Sequence, residues 1–103
     1  KSHDDHKLSR KILSDSGNML SFVVKGGDEK GRKMLNNMSV ASQAISLGGV
    51  ESLISMPYAT THASWTQEAR VAAGIDLGFV RFSTGLEDFD DLKNDFDQAL
   101  SSL

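Results

Sequence analysis

The 103-residue chain contains no cysteine. That excludes a disulfide framework and a thiolate nucleophile. It also fits a reducing compartment, so the expected location is cytoplasmic. No apolar run approaches the ~18 residues that cross a bilayer, and no membrane partner is expected. The opening stretch KSHDDHKLSRK is polar and holds no apolar segment of the secretory type. Positive charge is sparse and scattered: 11 Lys and Arg stand against 14 Asp and Glu, for a net charge of −3. A nucleic-acid footprint needs clustered basic residues, so none is expected here. There is no internal repeat and no low-complexity tract. What is present is a length suited to one small domain with one modest core. The apolar fraction of 39% is ordinary for such a domain.

Hydrophobic periodicity and turn residues divide the chain into interleaved helices and strands. Residues 4–13 read as a helix, with Leu8 and Ile12 four apart, Ser2 as cap, and Asp4 and Asp5 at the positive end of the dipole. The run SDSGN at 14–18 ends it. Residues 19–25, MLSFVVK, read as a strand stopped by Gly26-Gly27. Residues 28–38 read as a helix weakened by Gly31 at its centre. Short strands at 42–46 and 51–56 flank Gly48-Gly49, and Pro57 closes the second because it has no N–H for a ladder.

Residues 64–74 read as a short helix, with Ser64 and Gln67 forming a capping box and Gly74 at the stop. In the strand FVRFS, 79–83, Val80 and Phe82 share one face and Phe79, Arg81 and Ser83 the other. The last helix, 88–103, carries Phe89, Leu92, Phe96, Leu100 and Leu103 as one apolar stripe, with Glu87, Asp88, Asp90 and Asp91 crowding its start. Four strands interleaved with four helices imply an α+β two-layer sandwich. Its sheet would be small and mostly antiparallel, with helices on one face. The face that carries Arg81 would meet water or a partner.

Few polar positions suggest chemistry. By spacing alone Arg81 reads first as an arginine on a solvated sheet face; the alternative is an anion receptor, since a guanidinium fork grips a carboxylate with two parallel bonds. TTHAS at 60–64 offers hydroxyls and an imidazole just before a helix start, which is also ordinary loop polarity. HDDH at 3–6 puts two histidines three apart, but no third ligand stands at a recognisable spacing, so no metal is expected. Gly48-Gly49 is a turn signal without a phosphate-loop pattern around it. No catalytic triad or carboxylate pair stands out.

Five segments in series nevertheless carry a resemblance: GNMLSFVVKGG, SLGGVESLISMP, TTHAS, QEARVAAGI and VRFSTGLEDFDDLKNDFDQAL. In order and spacing, from about Ser2 to Leu100, the chain resembles the C-terminal domain of the Cys/Met-metabolism enzymes dependent on pyridoxal phosphate. That family includes cystathionine γ-synthases, cystathionine β- and γ-lyases, methionine γ-lyases and homoserine sulfhydrylases. The resemblance implies a sulfur-containing amino acid as substrate, with elimination or replacement at a C–S bond. It implies pyridoxal phosphate in the full-length enzyme, a homotetramer, and an N-terminal cofactor domain as partner. Residue by residue, Arg81 matches the arginine that clamps the substrate α-carboxylate. Ser46 and the Leu47 backbone match positions beside that carboxylate, and Thr61 matches a threonine that supports it.

The chain also departs from the family. The cofactor-bearing lysine belongs to a larger N-terminal domain that these 103 residues do not include. Lysines stand at 1, 7, 11, 25, 30, 33 and 93, none in the matching motif, so no covalently bound cofactor and no catalytic residue are expected in this chain. Asp4 stands where the family often has proline. Ile45 stands where the cystathionine γ-acting enzymes usually have glutamate; an apolar residue there resembles methionine γ-lyases and several β-lyases. STGLED and SLGGVESLIS in turn resemble γ-synthases. The rival reading from a different class is a stand-alone α+β module that binds a small carboxylate or a protein partner without catalysis.

Overall fold

The computed structural model describes residues 3–103, so Ser2, the expected cap of the first helix, lies outside the described residues. In chain order the elements are α1 (His6–Ile12), β1 (Met19–Val23), α2 (Gly27–Asn36), β2 (Ser42–Gln43), β3 (Leu53–Ser55), a 3-10 turn (Pro57–Ala59), α3 (Gln67–Ala72), β4 (Phe79–Ser83) and α4 (Phe89–Ser101). Among the described residues the strands form one open sheet in the order β1-β4-β3-β2. β4 runs antiparallel to both β1 and β3, and β2 runs parallel to β3. The sheet is mixed but mostly antiparallel, in an α+β arrangement.

The β2–β3 pairing has a topological cost. Antiparallel neighbours need only a tight turn, whereas parallel neighbours need a connection that returns along the strand. Residues 44–52 make that return, and they run across the sheet face opposite the helices. Their positions follow from bonds to β4 described below.

Period-2 alternation in β4 builds the core. Val80 and Phe82 are buried, and their cross-strand partners Phe22, Leu20 and Ile54 stand on the same face. α2 lays Met34 and Leu35 on this face, and α4 lays Leu92 and Ala99 on it. Phe96 of α4 meets Phe82 and Phe22 edge-on, with ring centroids 5.0 and 6.0 Å apart. That is the geometry favoured by aromatic quadrupoles.

Several local expectations need correction. The stripe of α4 turns inward at Leu92, Phe96 and Ala99, with Leu103 packed on the core just past the helix end, while Phe89 is 74% exposed and Leu100 45% exposed. Phe89 falls in the first helical turn and overhangs an open groove beside Leu20 and Phe82. Asp95 takes the inward place between Leu92 and Ala99. Gly31, which weakened the α2 reading, is buried against Met56, whose methyl group fills the space a Cβ would need. α3 is capped by Thr66, whose hydroxyl accepts the Ala69 N–H at 3.2 Å, and not by Ser64. The chain is still turning there, with the Trp65 N–H bonded to the His62 carbonyl at 3.1 Å. α1 buries none of its residues, so Leu8 and Ile12 face outward. β2 and β3 are shorter than expected because residues beyond Ala44 leave the ladder.

Asp95 is 3% exposed, and its carboxylate closes the turn between α2 and β2. It accepts the backbone N–H groups of Ser39, Val40 and Ala41 at 2.7, 2.9 and 3.1 Å, and Gln98 Nε2 at 3.2 Å. Burial pushes its pKa up, but the backbone N–H bonds together with Gln98 outweigh it and hold the group below the usual carboxylate value. A depressed folded-state pKa gives stability that is fully present above the unfolded value of ~3.9 and is lost as pH falls through the folded value. Asp95→Ala leaves three backbone donors without their acceptor, that of Ala41 buried and those of Ser39 and Val40 part-buried, and hydrogen bonds to charged groups contribute ~1.5–3 kcal/mol. We expect at least that loss in denaturant melts at pH 7, with the gap between Asp95→Ala and the parent closing below about pH 4. An equal gap at pH 7 and pH 3 refutes the carboxylate as the cause.

Candidate functional site

Alternation turns Arg81 and Ser83 away from the core, onto the face crossed by residues 44–52. Arg81 is half-buried, with Ser21 and Ser55 as its cross-strand partners. Its Nη2 donates to the Ile45 carbonyl at 2.5 Å and to the Ser46 carbonyl at 3.2 Å. An arginine has five N–H donors, so the hydrogens on Nε and Nη1 remain for another acceptor. Arg81, Ser46 and Leu47 are thus brought together. The Ser46 side chain is exposed and Leu47 is 54% exposed, so both stand open beside the guanidinium.

The double glycine acquires a physical reason. Gly48 has φ +75°, a left-handed conformation that side-chain-bearing residues rarely adopt, and the space around it is open. Its N–H donates to Ser83 Oγ at 3.0 Å. The glycine therefore serves the bend itself, and the bend leaves Ser46 and Leu47 at the rim.

Thr61 lies in the turn that follows the 3-10 segment, which packs beside β4. Its hydroxyl is 2.8 Å from His62 Nδ1, and His62 packs edge-on against Trp65 at 4.7 Å. Among the described residues it shares no hydrogen bond with Arg81. A cleft of about 280 Å³ opens nearby, bordered by Ile45, Ser55, Tyr58 and Thr60. Neither Arg81 nor Ser46, Leu47 or Thr61 lines it.

HDDH forms a helix start: His3 Nδ1 accepts the Asp5 N–H at 3.1 Å. No group of metal-ligating side chains gathers among the described residues. Lys30 and Lys33 donate to the carbonyls of Leu103 and Ser102 at 2.8 and 2.6 Å, and Lys93 pairs with Asp97 at 2.8 Å. None of the described lysines hydrogen-bonds to Arg81 or to residues 45–52.

Sequence reasoning passed over Ser52, Gly85 and Glu87. Ser52 is fully buried; its N–H and hydroxyl donate to the two oxygens of Glu87 at 2.7 and 2.6 Å, and its Oγ accepts the Gly85 N–H at 2.8 Å. These bonds, the hydroxyl first, hold the Glu87 carboxyl below its ordinary pKa. Glu87 read as one more acid at a helix start, and nothing in the spacing of 52 and 87 pairs them.

The family model for Cys/Met metabolism PLP-dependent enzymes matches residues 1–101. L-methionine gamma-lyase of Fusobacterium nucleatum subsp. polymorphum is 45% identical over 101 residues, covering 98% of this chain and 26% of that protein. Cystathionine gamma-lyase of Dictyostelium discoideum is 42% identical over 99 residues, 96% of this chain and 26% of that protein. The crystal structure of cystathionine gamma synthase from Xanthomonas oryzae pv. oryzae, in complex with aminoacrylate and cysteine, superimposes with a TM-score of 0.88 at 42% identity. It covers 97% of this chain and 26% of that one. The chain spans about a quarter of the length of the curated relatives it matches.

Gly48→Ala tests the bend. Forcing an L-residue into the left-handed region costs roughly 1–2 kcal/mol, and 1 kcal/mol lowers the melting temperature of a domain this size by about 4–8 °C. Because the surrounding space is open, the loss should come from the backbone alone. Gly48→Asn, which tolerates that conformation better, should recover part of it. Equal melts for Gly48→Ala and the parent exclude the role.

Proposed function

The chain belongs to the Cys/Met-metabolism family of pyridoxal-phosphate-dependent enzymes, and from that premise we propose that it is the C-terminal domain of a sulfur amino acid lyase or synthase. In this reading its task is to hold the substrate α-carboxylate. The observation that carries it is Arg81: a half-buried guanidinium on the open sheet face, with unspent donors, beside the exposed Ser46 and Leu47.

The residues present suit the carboxylate side of such a site and not the anchoring of the cofactor. The donor chemistry around Arg81 is guanidinium, hydroxyl and amide, with no described lysine bonded to it. In the full-length enzyme, bound pyridoxal phosphate supplies an electron sink for the bond broken at the substrate Cα. The residues of this domain bind and orient. Arg81 pairs with the carboxylate, and the Ser46 hydroxyl and the Leu47 N–H add neutral donors beside it. Thr61 supports the site from the turn after the 3-10 segment. Pinning the carboxylate limits rotation about the substrate's N–Cα bond, and so selects which Cα bond is aligned for cleavage. The reaction class is elimination or replacement at a C–S bond. The domain works against its own N-terminal cofactor domain within a homotetramer in the cytoplasm. No described helix is long and apolar enough to cross a membrane.

Two expectations follow from this division of labour. The 103-residue chain alone should fold, yet form no covalent adduct with added pyridoxal phosphate and show no activity. A stoichiometric visible band that survives dialysis and disappears on mutating one defined lysine counts against this.

In the full-length enzyme, Arg81→Ala should lower kcat/KM for the amino acid substrate by about tenfold to a hundredfold. That is the effect of losing charge-assisted hydrogen bonds of about 1.5–3 kcal/mol. Arg81→Lys should recover only part, because a point charge does not reproduce the fork. Thr61→Ala should cost less than either. Steady-state kinetics with a thermal melt of each variant decides the matter. Normal kinetics in Arg81→Ala moves the carboxylate site elsewhere, and a collapsed melt makes the arginine structural.

A further inference from the structure

Residues 45–52 are fastened to β4 and the turn after it at four successive points, in step along both segments. Arg81 takes the carbonyls of Ile45 and Ser46. Ser83, 1% exposed, takes the Gly48 N–H at 3.0 Å. The Leu86 N–H donates to the Val50 carbonyl at 2.8 Å. Glu87 takes Ser52 twice, at 2.7 and 2.6 Å. Gly85 makes the approach possible: a Cβ there would overlap the backbone of Val50 and Glu51, which cannot yield as a side-chain tip can.

The Glu87 attachment, like that of Arg81, is made by an ionised side chain. Both bonds are charge-assisted, about twice as strong as neutral ones. Ser52 is fully buried, and its single hydroxyl is used as donor and acceptor at once. A favourable charge at the start of α4 would require only that Glu87 stand near the helix dipole. Instead its carboxylate points to Ser52, at the far end of the segment from Arg81.

From this geometry we infer that Glu87, assisted by Ser83, is a positioning residue for the substrate α-carboxylate. The inference rests on the reading of Arg81, Ser46 and Leu47 given above. Residues 45–51 make no bonds to the β2–β3 ladder and contain two glycines, so their conformation is set by what fastens them; Ser52, at the downstream end, also accepts the Ser42 N–H of β2 at 2.9 Å. Glu87 fixes the downstream end through Ser52, Ser83 fixes the bend at Gly48, and Arg81 fixes the upstream end. Ser46 and Leu47 lie between the last two anchors. Their distance from the Nε and Nη1 donors of Arg81 is therefore governed jointly by Arg81's own bonds to the segment and by Ser83 and Glu87, which do not reach the substrate in this reading.

The test uses the full-length enzyme, with L-methionine or L-cystathionine as substrate. Glu87→Ala should speed amide hydrogen exchange at Gly48 and Ser52 while Val80 and Phe82 stay protected. It should raise KM about tenfold, the scale on which displacement of a positioning group acts, with a smaller fall in kcat. Glu87→Gln should recover part of both effects, since its amide oxygen still accepts the Ser52 N–H. Ser83→Ala, a small change at the second anchor, should do the same at Gly48 and serves if Glu87→Ala fails to fold. Arg81→Ala in the same assay reports on the site itself. Unchanged exchange at Gly48 and Ser52 overturns the inference. So does faster exchange with normal KM when Arg81→Ala raises KM, and in that case the carboxylate site stands. If neither Arg81→Ala nor Glu87→Ala alters KM, the site reading fails and the positioning role falls with it.

Discussion

Parallel pairing of β2 with β3 is the constraint from which the site develops. Two strands that run the same way cannot be joined by a tight turn. The chain must travel back, and one face of the sheet is already occupied by α2 and α4. Residues 44–52 therefore cross the other face, where β4 presents Arg81 and Ser83. The same alternation that sends Val80 and Phe82 into the core sends these two outward. The core residues and Arg81 thus occupy two faces of one five-residue strand.

The parts that were legible in the sequence are those where one local pattern had one physical meaning. β4 is an example, because FVRFS alternates cleanly and its bounds match. The double glycine is another, since only a glycine takes the φ of +75° at Gly48 without strain. The less legible parts depend on partners distant in sequence. Phe89 and Leu100 share the helical period of the core residues, but whether they are covered depends on how far the sheet extends beneath α4. Asp95 interrupts the apolar stripe and looks like a solvent-facing acid, until the three N–H groups of the 39–41 turn are brought to it. Glu87 and Ser52, 35 positions apart, are an acid near a helix start and a small polar residue until folding joins them. Ser64 and Thr66 both suit a helix cap, and the preceding turn chooses between them.

Arg81 was suspicious on residue type alone, yet spacing left it as an ordinary surface arginine. What raised it was the series of five motifs, and the family match covers residues 1–101. The relatives include lyases and a synthase at similar identity. In the structure Ile45 contributes its carbonyl to Arg81 while its side chain, 59% exposed, stays free of the core. A change of side chain at 45 therefore alters the rim of the site without disturbing the bond that fastens it.

The position of β1 at the margin of the sheet has a consequence for the behaviour of the chain in solution. Its partner is β4 on one side, and among the described residues no strand pairs with the other. Met19, Leu20 and Val23 are each at least 43% exposed, and the run MLSFV carries neither charge nor proline. Strand margins of this kind offer unfilled backbone donors and acceptors to any other extended chain, and folded proteins commonly blunt them with lysine, proline or a covering element. Here the nearest such guard is Lys25, just past the end of the strand. The backbone groups on the outer side of β1 are thus, among the described residues, the sheet's open margin, reached through β4 from the strand pair whose connection carries residues 45–52.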